Sequence, residues 1–202
     1  IQDYPANPQS SGPSTSTCPV GAYWNTVDNL GSVYLATSSC NTGYYWMIRA
    51  MPDGSWGRFG SVQVRDLDGV FAATTADGDA FVYASGGVGV SQFDASGGLT
   101  EWYGGVSGNG QGVAVNSSGE IFASTIYSGI LKIEPTTGAV TSFFNAGGDH
   151  SIITVDDLDN VLVRRYSRNI NVSEIYSIDP QGNATLILSF NAATGPIAAQ
   201  PS

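Results

Sequence analysis

The sequence predicts an all-β fold: a four-stranded unit of about 40 residues repeated four times as the blades of a small β-propeller, with an extended arm at each end. Three observations carry this. The turn glycines Gly54, Gly97, Gly138 and Gly182 recur every 41 to 44 residues. Around each lies the same succession of short apolar runs separated by turn residues. No stretch places apolar residues at i, i+3 and i+4 between helix caps.

Taken in order, residues 1–18 are rich in Pro, Ser and Thr without apolar periodicity and read as an extended arm. The first blade, about 19–64, is the most diverged, with strands at Ala22-Tyr-Trp24, Val33-Tyr-Leu-Ala36, Tyr45-Trp-Met-Ile48 and from Trp56 onward. The second, about 69–107, runs through Gly69-Val-Phe-Ala72, Phe81-Val-Tyr-Ala84, Val90-Ser-Gln-Phe93 and Leu99-Thr-Glu-Trp102. Its match to the third blade pairs Gly69-Val-Phe with Gly112-Val-Ala and leaves Asp66-Leu-Asp68 between blades. The third, about 108–148, is the clearest copy: Gly112-Val-Ala-Val115, Glu120-Ile-Phe-Ala123, Ile130-Leu-Lys-Ile133 and Ala139 to Phe144. The fourth, about 149–190, has Ile152 to Val155, Val161-Leu-Val163, Ile175-Tyr-Ser-Ile178 and Ala184 to Phe190. Residues 191–202 form a second arm. An acidic residue opening the turn and a glycine closing it supply an acceptor and a positive φ.

The repeat, Gly-Val-Ala-Val, Asn-Ser-Ser-Gly, Ile-Phe-Ala, Ile-Leu-Lys-Ile, Pro-Thr-Thr-Gly-Ala-Val, resembles NHL-type and streptogramin-lyase-like β-propeller repeats over residues 19–190. The resemblance implies architecture rather than activity. Those families close with five to seven blades, and four are present here. The resemblance therefore implies a compact four-bladed ring, or a ring completed by another chain or by residues outside this segment. An unclosed propeller leaves edges and apolar faces that associate.

Composition narrows the partners. Seven basic against seventeen acidic residues give a net charge of −10, with Lys132 the one lysine. Such a chain repels phosphate backbones and anionic headgroups, so neither nucleic acid nor membrane insertion is expected. The sequence opens on Ile1 with no leader pattern; a removed leader, or a segment of something longer, is the expectation. Cys18 and Cys40 fit one disulfide in an oxidising compartment. The sequons at Asn116, Asn171 and Asn183 fall in turns or loops, where glycans are carried. Secretion is the expected localisation.

Candidate chemistry is sparse. His150 is the one histidine, and the glutamates are Glu101, Glu120, Glu134 and Glu174. The resemblance to streptogramin lyases implies histidines working with glutamates, a set that one histidine does not fill. No catalytic residues are assigned. The clusters Asp66-Leu-Asp68, Asp77-Gly-Asp79 and Asp156-Asp-Leu-Asp159 offer oxygens to calcium, yet none completes a 12-residue loop with a terminal glutamate, and Asp and Gly dominate tight turns for backbone reasons. No cofactor is expected; calcium is the one ion these clusters suit. Trp24, Tyr44-Tyr-Trp46, Trp56 and Trp102-Tyr103 suit either a sugar-stacking surface or packing between blades. The functional expectation is a non-enzymatic extracellular structural or interaction protein, a self-assembling glycoprotein subunit linked into filaments or arrays through its terminal arms. A carbohydrate-binding propeller and a metal-dependent lyase or lactonase are the alternatives.

Overall fold

A computed structural model describes residues 22–28, 30–38, 44–63, 70–84, 89–106 and 110–191. They form sixteen strands in four antiparallel sheets, with no helix among the described residues. Blade 1 comprises β1 (Ala22–Val27), β2 (Val33–Ser38), β3 (Tyr44–Ala50) and β4 (Trp56–Gln63). Blade 2 has β5 (Val70–Thr74), β6 (Ala80–Ala84), β7 (Gly89–Phe93) and β8 (Leu99–Gly104). Blade 3 has β9 (Gly110–Val115), β10 (Ile121–Thr125), β11 (Gly129–Ile133) and β12 (Val140–Phe144). Blade 4 has β13 (Asp149–Val155), β14 (Val161–Ser167), β15 (Val172–Ile178) and β16 (Ala184–Phe190). Every sheet is a meander in chain order, and β1, β5, β9 and β13 are the innermost strands, each against the next.

The blades share one register. Val27↔Val33, Thr74↔Ala80, Val115↔Ile121 and Val155↔Val161 pair across the first turn of each. Side chains alternate along a strand. Tyr34, Phe81, Phe122 and Leu162 therefore stand on the face each blade turns toward the next, its leading face. Val33, Ala80, Ile121 and Val161 stand on the trailing face. This register corrects one sequence alignment: the equivalent of Gly112 is Phe71, two residues beyond Gly69. Asp66-Leu-Asp68 falls between β4 and β5, outside the described residues; Cys18, Cys40, the first arm and residues 192–202 of the second also lie outside them.

The core lies between blades. Between blades 1 and 2, the Tyr34 and Phe59 rings meet edge to face at 5.0 Å, and Phe59 continues to Phe93 at 6.3 Å. Phe81, Tyr83, Val90 and Tyr103 of blade 2 pack on Val113, Ile121, Ala123 and Ile133 of blade 3. Ala114, Phe122 and Ile130 of blade 3 pack on Ile152, Val161, Val163 and Ile178 of blade 4. Each large side chain so buried contributes about 1.5–3 kcal/mol. Where β13 crosses blade 3, Gly112 leaves little room for a Cβ, which would sit 3.0 Å from the Ile152 backbone, and the Ile152 N–H donates to Ser124 Oγ at 3.2 Å.

Among the described residues the series does not close. Contacts join blade 1 to 2, 2 to 3 and 3 to 4, but no strand of blade 4 makes a comparable contact with blade 1 among the described residues. The described residues form an open arc of four blades.

Candidate functional site

Catalysis requires an acid or base beside a reacting group, and β13 is where the sequence places its one histidine. His150 and Ser151 are consecutive on this strand, so they face opposite sides of the sheet and form no dyad. His150 is on the trailing face with no exposed surface. Its Nε2 accepts from the Ala146 N–H at 3.4 Å, and the Phe144 ring meets the imidazole edge to face at 5.7 Å. Burial pushes the imidazole pKa below its ordinary value, and the nearby Arg165 cation adds to this. Arg165 itself pairs with Glu174 at 2.5 Å, and the Tyr176 hydroxyl donates to the same carboxylate oxygen at 2.9 Å. This is a packed histidine beside a satisfied ion pair.

The opposite, leading face of blade 4 carries a recess of about 90 Å³ lined by Gln111, Asp149, Ser151, Arg164 and Tyr166. Gln111 is the extra residue of a bulge in β9. The Arg164 guanidinium lies 5.7 Å from the Tyr166 ring centre, and its Nε is buried without an acceptor. Asp149 is paired with Arg168 at 2.7 Å. The recess holds polar and charged groups without a nucleophile–base pair.

Of the acidic clusters, Asp66-Leu-Asp68 lies outside the described residues, and in the last cluster Asp156 locks its own turn. Asp156 Oδ1 accepts from the Leu158 and Asn160 N–H groups at 2.9 and 2.8 Å. Asp94 and Asp179 close their own turns in the same way. Asp159, at φ 62°, reaches into blade 3 instead, where both its oxygens accept from the Ser117 N–H and hydroxyl at 2.8 and 2.6 Å. Asp79 accepts from Gln92 at 3.0 Å. Neighbouring carboxylates thus diverge onto separate donors, and no group of three or more His, Cys, Asp or Glu converges on a metal position among the described residues. A different lock joins blades 1 and 2. Asp28 accepts from Ser32, Leu30 and Tyr34, and pairs with Arg49, which also donates to the Ala95 carbonyl of blade 2. Burial alone would raise the Asp28 pKa, but these hydrogen bonds outweigh it and hold the carboxyl below its ordinary value. Burial and the Asp28 bond push the Tyr34 phenol up to about 12.

The sequons are not alike. Asn116 is 7% exposed, its Nδ2 donating to Glu120 and its Oδ1 accepting from Ser118 and Glu120. Asn171, at φ 52°, and Asn183 are exposed in turns. Among the aromatics, Tyr103 is buried between blades, while Trp102 and Trp56 are 52% and 42% exposed.

The largest departures from a satisfied surface are the two terminal faces. On the trailing faces of blades 2 and 3, Ala80, Val82, Phe93, Ile121, Ala123 and Ile133 are at most 2% exposed. Their blade 1 equivalents Val33, Leu35 and Ala50 are half-buried, and Val27 is 57% exposed. On the leading faces, Phe81 and Phe122 are at most 3% exposed; the blade 4 equivalent Leu162 is half-buried, and Leu188 beyond it is 53% exposed. The sequence analysis allowed for apolar faces on an unclosed propeller; which residues form them follows only from the strand register. The repeat count in a family that closes with more blades was the available signal.

No protein-family model matches the chain, and no curated protein matches it in sequence. Solved structures do. Virginiamycin B lyase from Staphylococcus aureus superposes with a TM-score of 0.57 at 14% identity, over 83% of this chain and 70% of that one. A chain of the nidogen/laminin complex gives 0.62 at 16%, over 80% and 63%. TolB from Acinetobacter baumannii gives 0.65 at 13%, over 83% and 43%. All are β-propellers, and the likeness establishes that fold and its NHL-like, streptogramin-lyase-like blades. At these identities it carries no activity. This chain spans under two thirds of the second and under half of the third.

Proposed function

We propose that this protein is a non-enzymatic, secreted interaction protein, a propeller-blade subunit of a self-assembling extracellular glycoprotein structure. The observation that carries the reading is the pair of open end faces: apolar side chains that are fully covered in the interior blades stand half-covered at both ends of the arc. Contiguous apolar surface of this kind marks association sites. The buried His150, the committed turn carboxylates and the recess without a nucleophile–base pair support a scaffold over an enzyme. The structural neighbours include a propeller in complex with laminin as well as a lyase, so the fold is compatible with either role. Electron microscopy of native material beside its mass in solution tests the reading. Filaments, arrays or discrete oligomers support it, and a strict monomer of 21.0 kDa overturns it.

A carbohydrate-binding propeller is the second reading, favoured by the exposed Trp102 and by Tyr127, which is 80% exposed. Glycan-array binding lost in Trp102→Ala would establish it.

A further inference from the structure

Blade stacking in this chain is directional: three times over, a leading face receives a trailing face in the same register. What remains at the two ends is one of each. We propose that the leading face of blade 4 docks on the trailing face of blade 1 of a second copy, head to tail, reproducing between chains the interface already made three times within one. The inference rests on the scaffold reading above and names its partner and surface.

The register identifies the opposed residues. In the third blade, Ile121, Ala123, Leu131 and Ile133 form the trailing side of a packed cluster. Their equivalents in blade 1 are Val33, Leu35, Ile48 and Ala50, an apolar set of similar size. On the leading side, Phe122, Ile130 and Phe144 correspond to Leu162, Ile175 and Leu188. The two free surfaces thus have the composition of surfaces that already pack, and the internal contact supplies the template for joining them.

One polar position points the same way. In the contact between blades 3 and 4, Ser124 Oγ accepts from the Ile152 N–H. The equivalent of Ser124 is Arg164, whose buried Nε lacks an acceptor, and the equivalent of Ile152 is Asn25. A second copy docked in register brings the backbone around residue 25, with its carbonyl oxygens, alongside that donor. A buried N–H without an acceptor is unfavourable, so a partner that satisfies it is favoured over one that does not.

Two exposed positions test this in the full 202-residue chain. Val27 (57% exposed) and Leu188 (53%) each lie at a free face outside the packed clusters, so Val27→Asp and Leu188→Asp should leave the circular dichroism spectrum unchanged. Light scattering on the parent chain should give a mass of two copies or more. Each variant alone should lose self-association by on the order of tenfold or more, because a charge must then be desolvated in an apolar contact. Mixing the two should restore a one-to-one dimer, since each variant retains the face that the other lacks. Failure of the mixture to associate, with both variants monomeric, overturns head-to-tail docking. A parent that assembles indifferently to both substitutions overturns this inference alone and leaves the arms as connectors. A parent that is monomeric, its faces covered by residues 1–21 or 192–202 of its own chain, overturns this inference and the scaffold reading together.

Discussion

His150 is held neutral by its surroundings, and that has a sign. Its pKa in the folded protein lies below the ordinary 6.5 because burial disfavours the charged ring. As pH falls below about 6.5 the unfolded chain takes up a proton that the folded chain does not, so stability declines from there and is level above. In His150→Gln this slope should vanish while stability at neutral pH drops by about 1–3 kcal/mol from the lost packing; urea unfolding at several pH values reads both effects. A separate acid loss persists in the variant. Asp28, Asp156, Glu120 and Glu174 have lowered pKa values, so their stabilisation is present above the ordinary carboxylate range and fades as pH falls through it. The sequons divide at the same scale. Asn116 is 7% exposed, with no room for a sugar, so folded material from a secreting host should carry glycans at the exposed Asn171 and Asn183 and none at Asn116, as glycopeptide mass spectrometry can determine. Sequence spacing shows that Asp156, Asp157 and Asp159 are close. It does not show that Asp159 is claimed by Ser117 from the neighbouring blade, because that partner lies in a different repeat.

At the scale of the element, the turn glycines were legible because left-handed backbone excludes most other residues. Gly54, Gly97, Gly138 and Gly182 have φ of 85°, 87°, 68° and 88°. What was not legible is that equivalent turns differ in their surroundings. A Cβ at Gly97 would lie 1.6 Å from the Phe59 carbonyl oxygen of blade 1, whereas at Gly182 the nearest atom is 3.7 Å away. Gly182→Ala should therefore cost about 1–2 kcal/mol, the left-handed penalty alone. Gly97→Ala should cost more than about 3 kcal/mol, because β4 must also be displaced from blade 2. Paired thermal melts of the two variants give the comparison. The alignment of blade 2 slipped by two residues for a related reason. Gly69-Val-Phe and Gly112-Val-Ala match in residue type, yet register is set by cross-strand pairing, which only the Thr74↔Ala80 and Val115↔Ile121 pairs reveal.

For the whole molecule, sequence repetition disclosed the blades and left two readings of closure, a compact ring or an incomplete one. Closure depends on contact between segments more than 150 residues apart, on which local patterning is silent. A linear array of units has stability that adds along nearest-neighbour interfaces, so the end blades hold one interface where the middle blades hold two. Hydrogen exchange on the unassembled chain should find the slowest amides in β9, β10 and β11, where Ile121, Ala123 and Ile130 are fully buried, and the fastest in β1 and β16. Uniform protection across all four sheets would show that the array unfolds as one unit. The outermost strand has a further consequence. Leu186, Ile187 and Leu188 are at least half exposed, and β16 pairs with β15 on one side only. A seven-residue segment that is rich in β-formers, uncharged and free of proline is a template for cross-β growth. Asn183 lies immediately before this strand, so in the proposed glycoprotein a sugar chain there would act as a gatekeeper, and its enzymatic removal should promote amyloid-like growth from this rim.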